Sequence, residues 1–310
     1  MHLFSAKDLS KKTREVFHKI HLAQKDCSES RERMETLLNT KYLRLDEGYF
    51  QNKTCVDIAC GSAVVGTVNL LNLNAKFVYL SDVDDSYIET ATKILSSNEN
   101  YKDRWQTDIA NAEELPYADE SIDFALAQGF FQHLGDEQNA LKEIERILRP
   151  GGKAYVDLTG SGGLIGNFVM KTMRDEYRDN KTFKDLIDND LNVDAFRNIL
   201  NGLKKNIDND NSTQYKNCIK FIDTLSALID DDLMLTIEDR IYSPLYRQTT
   251  EKEFINKLKK AGFSSWYRVS KKPKYNNIRK ILAPLYKNYN DRLAKILFGD
   301  GGVMNFVLNK

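Results

Sequence analysis

The sequence predicts an α/β protein whose parallel β-sheet is covered on both faces by helices. Over residues 54–159, short apolar segments alternate with longer amphipathic ones, which is the pattern of strands joined by crossover helices. A run of small residues directly follows the first of these strands. The chain has 310 residues, of which 41% are hydrophobic, so it can form one large domain that carries an insertion.

The predicted elements of the first half follow in a regular order. The strands are short and apolar, and they cover 54–59, 76–81, a weaker segment near Trp105, 122–128 and 154–159. Helices with one apolar face are predicted over 86–97 and 137–148. The second helix is followed by Pro150-Gly151-Gly152, which is typical of a turn before a strand.

The composition changes after residue 159. Four glycines, at 160, 162, 163 and 166, precede a segment rich in Asp, Asn and Lys, which we interpret as a helical lid insertion over 160–235 with a glycine hinge at its start. The alternation then resumes with a strand over 237–242, a helix between Thr250 and Gly262, a strand over 264–269, a helix over 276–298 and a terminal strand over 303–308. Residues 1–48 are predicted to be a helical extension that precedes the core domain of residues 49–310. It would close the site from the other side or cover the sheet edge.

Charge and cysteine content exclude several classes. Lys and Arg number 45, as do Asp and Glu, so no basic field attracts nucleic acid or an anionic membrane. No C-x-x-C pair or His/Asp/Glu cluster has the spacing of a metal site. Charge at Lys7 and Asp8 interrupts any signal-peptide core, and no apolar run reaches the length of a membrane span, about 18 residues. We therefore expect a cytoplasmic protein that binds no metal, nucleic acid or membrane.

The most informative segment is Val-Asp-Ile-Ala-Cys-Gly-Ser-Ala over residues 56–63. Small residues after a strand let the backbone approach a ligand, and the N–H groups of such a turn face its polar part. A nicotinamide dinucleotide site would need G-x-G-x-x-G, but the corresponding residues are Ala59, Gly61 and Val64. A dinucleotide-dependent oxidoreductase is therefore disfavoured.

This segment resembles the first signature of the Rossmann-like class I S-adenosylmethionine (SAM)-dependent methyltransferases, an acidic residue followed by alternating glycines. Asp57 is the acidic residue, and Ala59 and Ala63 replace two glycines. Because alanine does not adopt positive φ comfortably, the resemblance requires ordinary backbone angles at both alanines. It implies SAM as cofactor and S-adenosylhomocysteine as product, bound by Asp57, Ala59, Cys60 and Gly61. It also implies a doubly wound sheet of seven strands, mostly parallel, with an antiparallel last strand.

Asp82 and Val83 follow at the end of the second strand. A carboxylate at that strand end can accept both hydroxyl protons of a ribose, so we predict that Asp82 binds the cofactor ribose, with Val83 beside it. The alternative is a helix N-cap, a role that suits Asp84 or Asp85 better.

Two later segments resemble the same family. Residues 111–117, Asn-Ala-Glu-Glu-Leu-Pro-Tyr, are similar to its D-A-x-x-L-P-F stretch, which implies that Asn111 and Ala112 contact the adenine; a turn role is the alternative for Asn111. Residues 127–134 lie at the carboxyl end of the fourth strand and resemble the family's segment between cofactor and acceptor. Gln128 is then a cofactor contact and Phe130 an acceptor contact.

His133 is the candidate general base, because histidine titrates near neutral pH; a packed histidine is the alternative. Segment 239–247 contributes Arg240, Tyr242, Tyr246 and Arg247, which can bind a carboxylate or phosphate and an apolar body. Surface salt bridges are the alternative for the two arginines.

The sequence therefore predicts methyl transfer to a small molecule. Residues 127–130, Ala-Gln-Gly-Phe, lack the D/N-P-P-Y/F motif of methyltransferases that act on base amines, and the paired-glutamate loop of protein arginine methyltransferases is missing. Two alternatives stay open: SAM chemistry without methylation, such as cyclisation or another group transfer, and a non-catalytic SAM-binding partner protein. The acceptor and the oligomeric state, a homo-oligomer included, also stay open.

Overall fold

A computed structural model describes residues 16–18, 37–62, 64–164, 171–190, 192–207, 211–269, 291–300 and 303–310. Its centre is one β-sheet of seven strands: β1 (Thr54–Ile58), β2 (Phe77–Asp82), β3 (Trp105–Ile109), β4 (Ile122–Ala127), β5 (Leu148–Thr159), β6 (Ser265–Arg268) and β7 (Val303–Asn309). The strand order is β3-β2-β1-β4-β5-β7-β6. Strands β1 to β5 pair in parallel, and β7 is antiparallel to both β5 and β6. The predicted fold class is confirmed, including the antiparallel last strand.

Helices cover both faces of this sheet. The four that pack against it are α2 (Val65–Asn72), α3 (Asp85–Ser96), α4 (Glu137–Ile147) and α10 (Glu251–Ala261), and the short α1 (Thr40–Leu43) precedes β1. The apolar faces of α2 and α3 belong to one buried cluster, and those of α4 and α10 to another. Because both faces are buried, β1 and β4 are mostly apolar and do not alternate, although each contains one aspartate, Asp57 or Asp123.

Helix α10 begins and ends as its sequence predicts. The Thr250 hydroxyl accepts from the Glu253 N–H, while the Glu253 carboxylate accepts from the Thr250 N–H, so the two residues form a capping box. Gly262 ends the helix at φ 106°.

The turn expected before β5 lies inside that strand. Strand β5 begins at Leu148, and its pairing with β4 shifts between Ile122 and Phe124. Gly151, with φ 77°, lies in this irregular stretch, which therefore acts as a bulge between two paired segments.

The insertion is helical, as predicted. It contains α5 (Lys171–Asp179), α6 (Lys181–Asp190), α7 (Val193–Asn206), α8 (Thr213–Leu228) and α9 (Asp231–Tyr242). Leu200, Ile222 and Met234 are buried together as a small core of its own.

The predicted strand over 237–242 is wrong, because these residues form the end of α9. Met234 and Ile241 are both buried and lie seven residues apart, which places them on one face of a helix after two turns. The six residues 237–242, Ile-Glu-Asp-Arg-Ile-Tyr, are too few to show a helical period, which only the longer window displays.

The insertion leaves the sheet through a close backbone contact. The Asp300 N–H donates to the Ser161 carbonyl over 3.0 Å, and a Cβ on Gly299 would lie 2.5 Å from the Gly162 carbonyl carbon. A Cβ on Gly163 would in turn collide with the Phe298–Gly299 backbone. Glycines that we interpreted as a hinge thus allow two chain segments to touch; Gly166 lies outside the described residues.

Two further predictions fall mainly outside the described residues. Of the helix expected over 276–298, the structure describes α11 (Arg292–Phe298). Of the N-terminal extension, it describes residues 16–18, which are helical, and the stretch from residue 37 onward. Within the described ranges, no helix combines the length and the apolar character needed to cross a membrane.

Candidate functional site

The predicted cofactor loop, Asp82 and the predicted base lie at the carboxyl edge of the sheet. Strand β1 lies between β2 and β4, so the strand order reverses beside it, and open α/β sheets bind ligands at such a point. The loop after β1, Asp82 at the end of β2 and the segment that follows β4 all lie at this edge. The fold therefore places the predicted cofactor loop and the predicted base at the same edge of the sheet.

The Asp82 carboxylate is held by backbone donors. Its Oδ2 accepts from the Gly61 N–H and its Oδ1 from the Asp84 N–H, each over 3.0 Å. The side chain is buried, and burial raises its pKa. Helix α3 is capped by Asp84, whose carboxylate accepts from the Ser86 N–H, so the N-cap role does not fall to Asp82. The Val83 N–H also hydrogen-bonds to this carboxylate, and lone pairs that these donors do not use can accept from a ligand hydroxyl.

Asp57 lies beneath the loop and faces the first turn of α2. Its Oδ2 accepts from the Thr67 hydroxyl over 2.8 Å, and a Cβ on Gly66 would approach the same oxygen to 2.7 Å. Gly66 therefore lets α2 pack closely on the carboxyl group. Burial raises the pKa of Asp57 to about 7, so this group changes its charge near neutral pH.

The resemblance requires ordinary backbone angles at Ala59 and Ala63, and this requirement fails at Ala59. Ala59 has φ 55° and Val64 has φ 45°, both in the left-handed region that favours glycine. Ala59 thus takes a backbone conformation that glycine adopts at a lower cost. Ala63 lies outside the described residues.

Replacing Ala59 by glycine is expected to stabilise the fold by about 0.5–1 kcal/mol, because it relieves the left-handed strain at the cost of some chain entropy. Chemical denaturation of both proteins measures this difference. Ala91→Gly within α3 is the matched control and should lower stability, since Ala91 is buried in a regular helix. A destabilised Ala59→Gly protein would contradict the strain argument.

Asn111 adopts the alternative that we considered for it, a turn. Its Oδ1 accepts from the Glu113 N–H over 3.1 Å, and the residue is exposed while Ala112 is buried. Tyr117 packs its ring on Tyr79 at 5.1 Å. The adenine contact of Asn111 stays a prediction, in which the second lone pair of Oδ1 would be used.

Two exposed apolar side chains flank Asp82. Val83 is 46% exposed and Ile109, at the end of β3, is 63% exposed, and Ile109 is the register partner of Asp82. Sequence reasoning missed Ile109. The available signal was an isoleucine at the carboxyl end of a strand whose other residues are mostly polar.

His133 ends a short 3-10 helix (Phe131–His133) after β4. Its Nδ1 lies 2.8 Å from the Leu245 carbonyl oxygen and 3.0 Å from the Ser243 hydroxyl. Because a carbonyl only accepts, we assign the ring proton to Nδ1 and the lone pair to Nε2. Burial lowers the pKa of His133 to about 4, so the imidazole is neutral at pH 7 and can accept a proton.

Aromatic rings enclose this imidazole. The Phe17 ring centroid lies 4.3 Å from that of His133, and the Tyr246 centroid lies 5.6 Å from it. The Tyr246 hydroxyl is 3.1 Å from the Thr159 hydroxyl at the end of β5. The N-terminal extension thus contributes a wall to the site.

The same extension also reaches the start of α3. The His18 ring stacks on Tyr87 with centroids 5.5 Å apart, and its Nδ1 lies 3.3 Å from the Ser86 hydroxyl. Phe17 therefore contacts the segment after β4, and His18 contacts α3, which follows β2. Because β1 lies between β2 and β4, these two contacts lie on either side of the loop after β1.

Three further residues that were predicted to contact the cofactor or the acceptor are Gln128, Phe130 and Arg247. Gln128 directly follows β4 and is half-buried. The N–H of the next residue, Gly129, donates to the Asp157 carboxylate over 2.7 Å. Phe130 is partly buried and packs on Phe131 with centroids 4.8 Å apart. Arg247 is exposed, while its N–H donates to the Gln132 carbonyl over 2.8 Å.

Of the four predicted acceptor residues in segment 239–247, the structure brings Tyr246 against His133. Tyr242 instead donates its hydroxyl to the Ile187 carbonyl over 3.3 Å and packs on Tyr177, within the insertion. Arg240 belongs to the last turn of α9. These two residues are displaced because the segment is helical and not a strand.

Comparisons with known proteins find similarity to methyltransferases over part of the chain. A family model described as a methyltransferase domain matches residues 56–156. The chain is similar to Methyltransferase GfsG of Streptomyces halstedii, with 33% identity over 44% of this chain and 47% of the relative. It is also similar to the ubiquinone/menaquinone biosynthesis C-methyltransferase UbiE of Rickettsia typhi, with 31% identity over 33% of this chain and 42% of the relative. The chain thus spans less than half the length of these curated relatives.

Among solved structures, PKMT2 from Rickettsia typhi superposes with a TM-score of 0.54 at 15% identity, over 87% of this chain and 52% of that one. At this identity the likeness concerns the fold.

Proposed function

Because a family model described as a methyltransferase domain matches residues 56–156, we propose that this protein is a class I SAM-dependent methyltransferase that transfers the methyl group of SAM to a small-molecule acceptor. The observation that carries the proposal is the arrangement around Asp82. Its carboxylate is held by the Gly61 and Asp84 N–H groups, and the exposed Val83 and Ile109 flank it. This combination suits a ribose joined to a flat apolar ring.

The residues at this edge fit SAM in other respects too. Asp82 would accept the ribose hydroxyl protons, and Val83 and Ile109 would contact the adenine faces. Asp57 would carry negative charge beneath the loop that receives the cationic part of the ligand. When bound, SAM supplies a methyl group activated by a positive sulfur.

The chain's own task is to align the acceptor and to exclude water. We assign to His133 the role of general base, with Nε2 taking a proton from an acceptor hydroxyl or ammonium as the methyl group arrives. Phe17 and Tyr246 would shield that proton transfer from solvent, since both rings pack on the imidazole. The insertion would cover the site as a lid, with Tyr246 and Phe130 among the acceptor contacts.

A small acceptor agrees with the relatives. One of them is named for ubiquinone and menaquinone biosynthesis, so its printed function concerns a small molecule. The acceptor of the present protein would lie beside the aromatic rings around His133, which favours a partly apolar molecule.

Calorimetric titration with SAM, S-adenosylhomocysteine and NAD tests the cofactor assignment without a known acceptor. Micromolar binding of the first two ligands and not of NAD would support it. Mass spectrometry of reactions with candidate metabolites then tests the chemistry. A product heavier by one methyl group, formed together with S-adenosylhomocysteine, supports methyl transfer, whereas a product of unchanged mass would indicate cyclisation.

A non-catalytic SAM-binding protein is the second candidate. The strained Ala59 and the turn contact of Asn111 favour it, because both depart from the family's pattern. It predicts SAM binding with no turnover of any acceptor, or no SAM binding at all, and a partner protein would then be sought.

SAM binding near pH 7 is expected to release a fraction of a proton. Burial holds the pKa of Asp57 at about 7 in the unliganded protein, and a cation beside the loop stabilises the carboxylate and lowers that pKa. Calorimetry in two buffers with different ionisation enthalpies measures the release. Asp57→Asn should abolish the buffer dependence, and equal heats for the wild-type protein in both buffers would contradict the role of Asp57.

A further inference from the structure

A single arginine of the insertion connects to the backbone that orients His133. Arg174 lies on α5, and its guanidinium donates to the carbonyl oxygens of Arg240 and, over 2.9 Å, of Ser243. These carbonyls lie at and just beyond the end of α9, where the helix dipole is negative and favours a cation. The guanidinium carbon also lies 5.3 Å from the centroid of the Tyr246 ring.

The residues held in this way are those that contact the imidazole. Ser243 is buried, and its hydroxyl donates to the Leu245 carbonyl over 2.8 Å. The same hydroxyl and the same carbonyl face Nδ1 of His133 at 3.0 and 2.8 Å. A displacement of residues 243–245 would therefore move the Ser243 hydroxyl and the Leu245 carbonyl away from Nδ1 together.

We propose that Arg174 is a positioning residue: by holding the end of α9 and residues 243–246, it keeps the His133 proton on Nδ1 and the lone pair on Nε2. This inference rests on the proposed function, in which Nε2 is the base. Arg174 touches neither the acceptor nor the reacting atoms in this role. Its charge also disfavours the imidazolium form, which contributes to the lowered pKa of His133.

The inference couples the insertion to the chemistry. Strand β5 ends at Thr159, which contacts Tyr246, whereas Arg174 approaches the same segment from α5. The base is therefore in its productive tautomer only when α5 and the end of α9 are docked on each other. An insertion that has moved away would leave the cofactor loop intact but release the imidazole.

The tautomer of His133 is measured by ¹⁵N NMR of the full-length protein labelled at histidine, since protonated and unprotonated ring nitrogens have different shifts. The chain has four histidines, and the signal that His133→Asn removes is that of His133. We expect a single Nδ1-protonated form in the wild-type protein and a mixture of tautomers in Arg174→Met. Arg178→Met is the matched control, because Arg178 lies one turn further along α5 with exposed ion pairs to Asp175 and Asp179, and it should keep the single form.

A single unchanged tautomer in folded Arg174→Met would overturn the proposal and leave Arg174 a structural role in capping α9; mixed tautomers in the wild-type protein would overturn it as well. If Arg174→Met does not fold, Arg174→Lys decides, since lysine keeps the charge but lacks the fork that reaches two carbonyls, and it should also give a mixture. Once an acceptor is known, kcat should fall by up to about 100-fold while the Kd of SAM is unchanged. The NMR spectra require neither SAM nor acceptor. A lack of methyl transfer would therefore refute the proposed function but would not determine whether Arg174 fixes the tautomer of His133.

Discussion

Asp82→Ala is expected to weaken SAM binding by about 1.5–3 kcal/mol, which is roughly 10- to 150-fold in Kd. The variant loses the charge-assisted contacts to the ribose. It also leaves the Gly61 and Asp84 N–H groups without the carboxylate that holds the loop and the start of α3 together. Calorimetric titration with SAM measures the change, and thermal unfolding verifies that the variant remains folded.

Asp85→Ala is the control for this experiment. Asp85 is an exposed carboxylate in the first turn of α3, three residues from Asp82, so its loss removes one negative charge from the same region. SAM affinity should stay at the wild-type value. Equal affinity of the Asp82→Ala and wild-type proteins would defeat the ribose assignment.

His133→Ala is expected to lower kcat by about 10²–10⁴-fold while SAM affinity is retained, because general base catalysis contributes on that order. His133→Asn separates the base from the packing. The asparagine amide can still donate to the Leu245 carbonyl in place of Nδ1, but it offers no basic nitrogen at the position of Nε2. Both variants should therefore be slow, and full activity in His133→Asn would return His133 to a structural role.

The same assignment fixes the direction of the pH dependence. A base acts in its neutral form, and burial lowers the pKa of His133 to about 4. Deprotonation of His133 should therefore not limit the rate at neutral pH, and activity that depends on this group should be lost only on acidification toward pH 4. A rate-limiting ionisation near the ordinary histidine value, about 6.5, would indicate an imidazole in a more exposed setting.

Much of the sheet follows from local pattern. Buried parallel strands are continuous apolar runs with helical segments between them, so β1, β2, β4 and β7 are predictable to within a residue or two. The end of α9 is not, because Ile237, Ile241 and Tyr242 form too short a segment for periodicity to distinguish a helix from a strand.

The candidate site likewise contains residues that the sequence predicts and residues that it does not. Asp82 is predictable, since the end of a strand determines where its carboxylate lies. The partners of His133 are not, because the Leu245 carbonyl is a main-chain group that lies 112 residues away along the chain and carries no signature of its own. Ala59 illustrates a third case: the residue type argues against the left-handed angle that the turn imposes on it.

The contact between the start of the insertion and the loop before β7 has a consequence for protein engineering. Gly163 and Gly299 approach so closely that a Cβ on either one would meet the other segment's backbone, so neither position accepts another residue while its neighbour stays in place. A chimera that exchanges the insertion for that of a relative must therefore carry residues 160–163 and 298–300 from the same parent. Graft boundaries set at residue 164 and within residues 247–249 keep this junction whole.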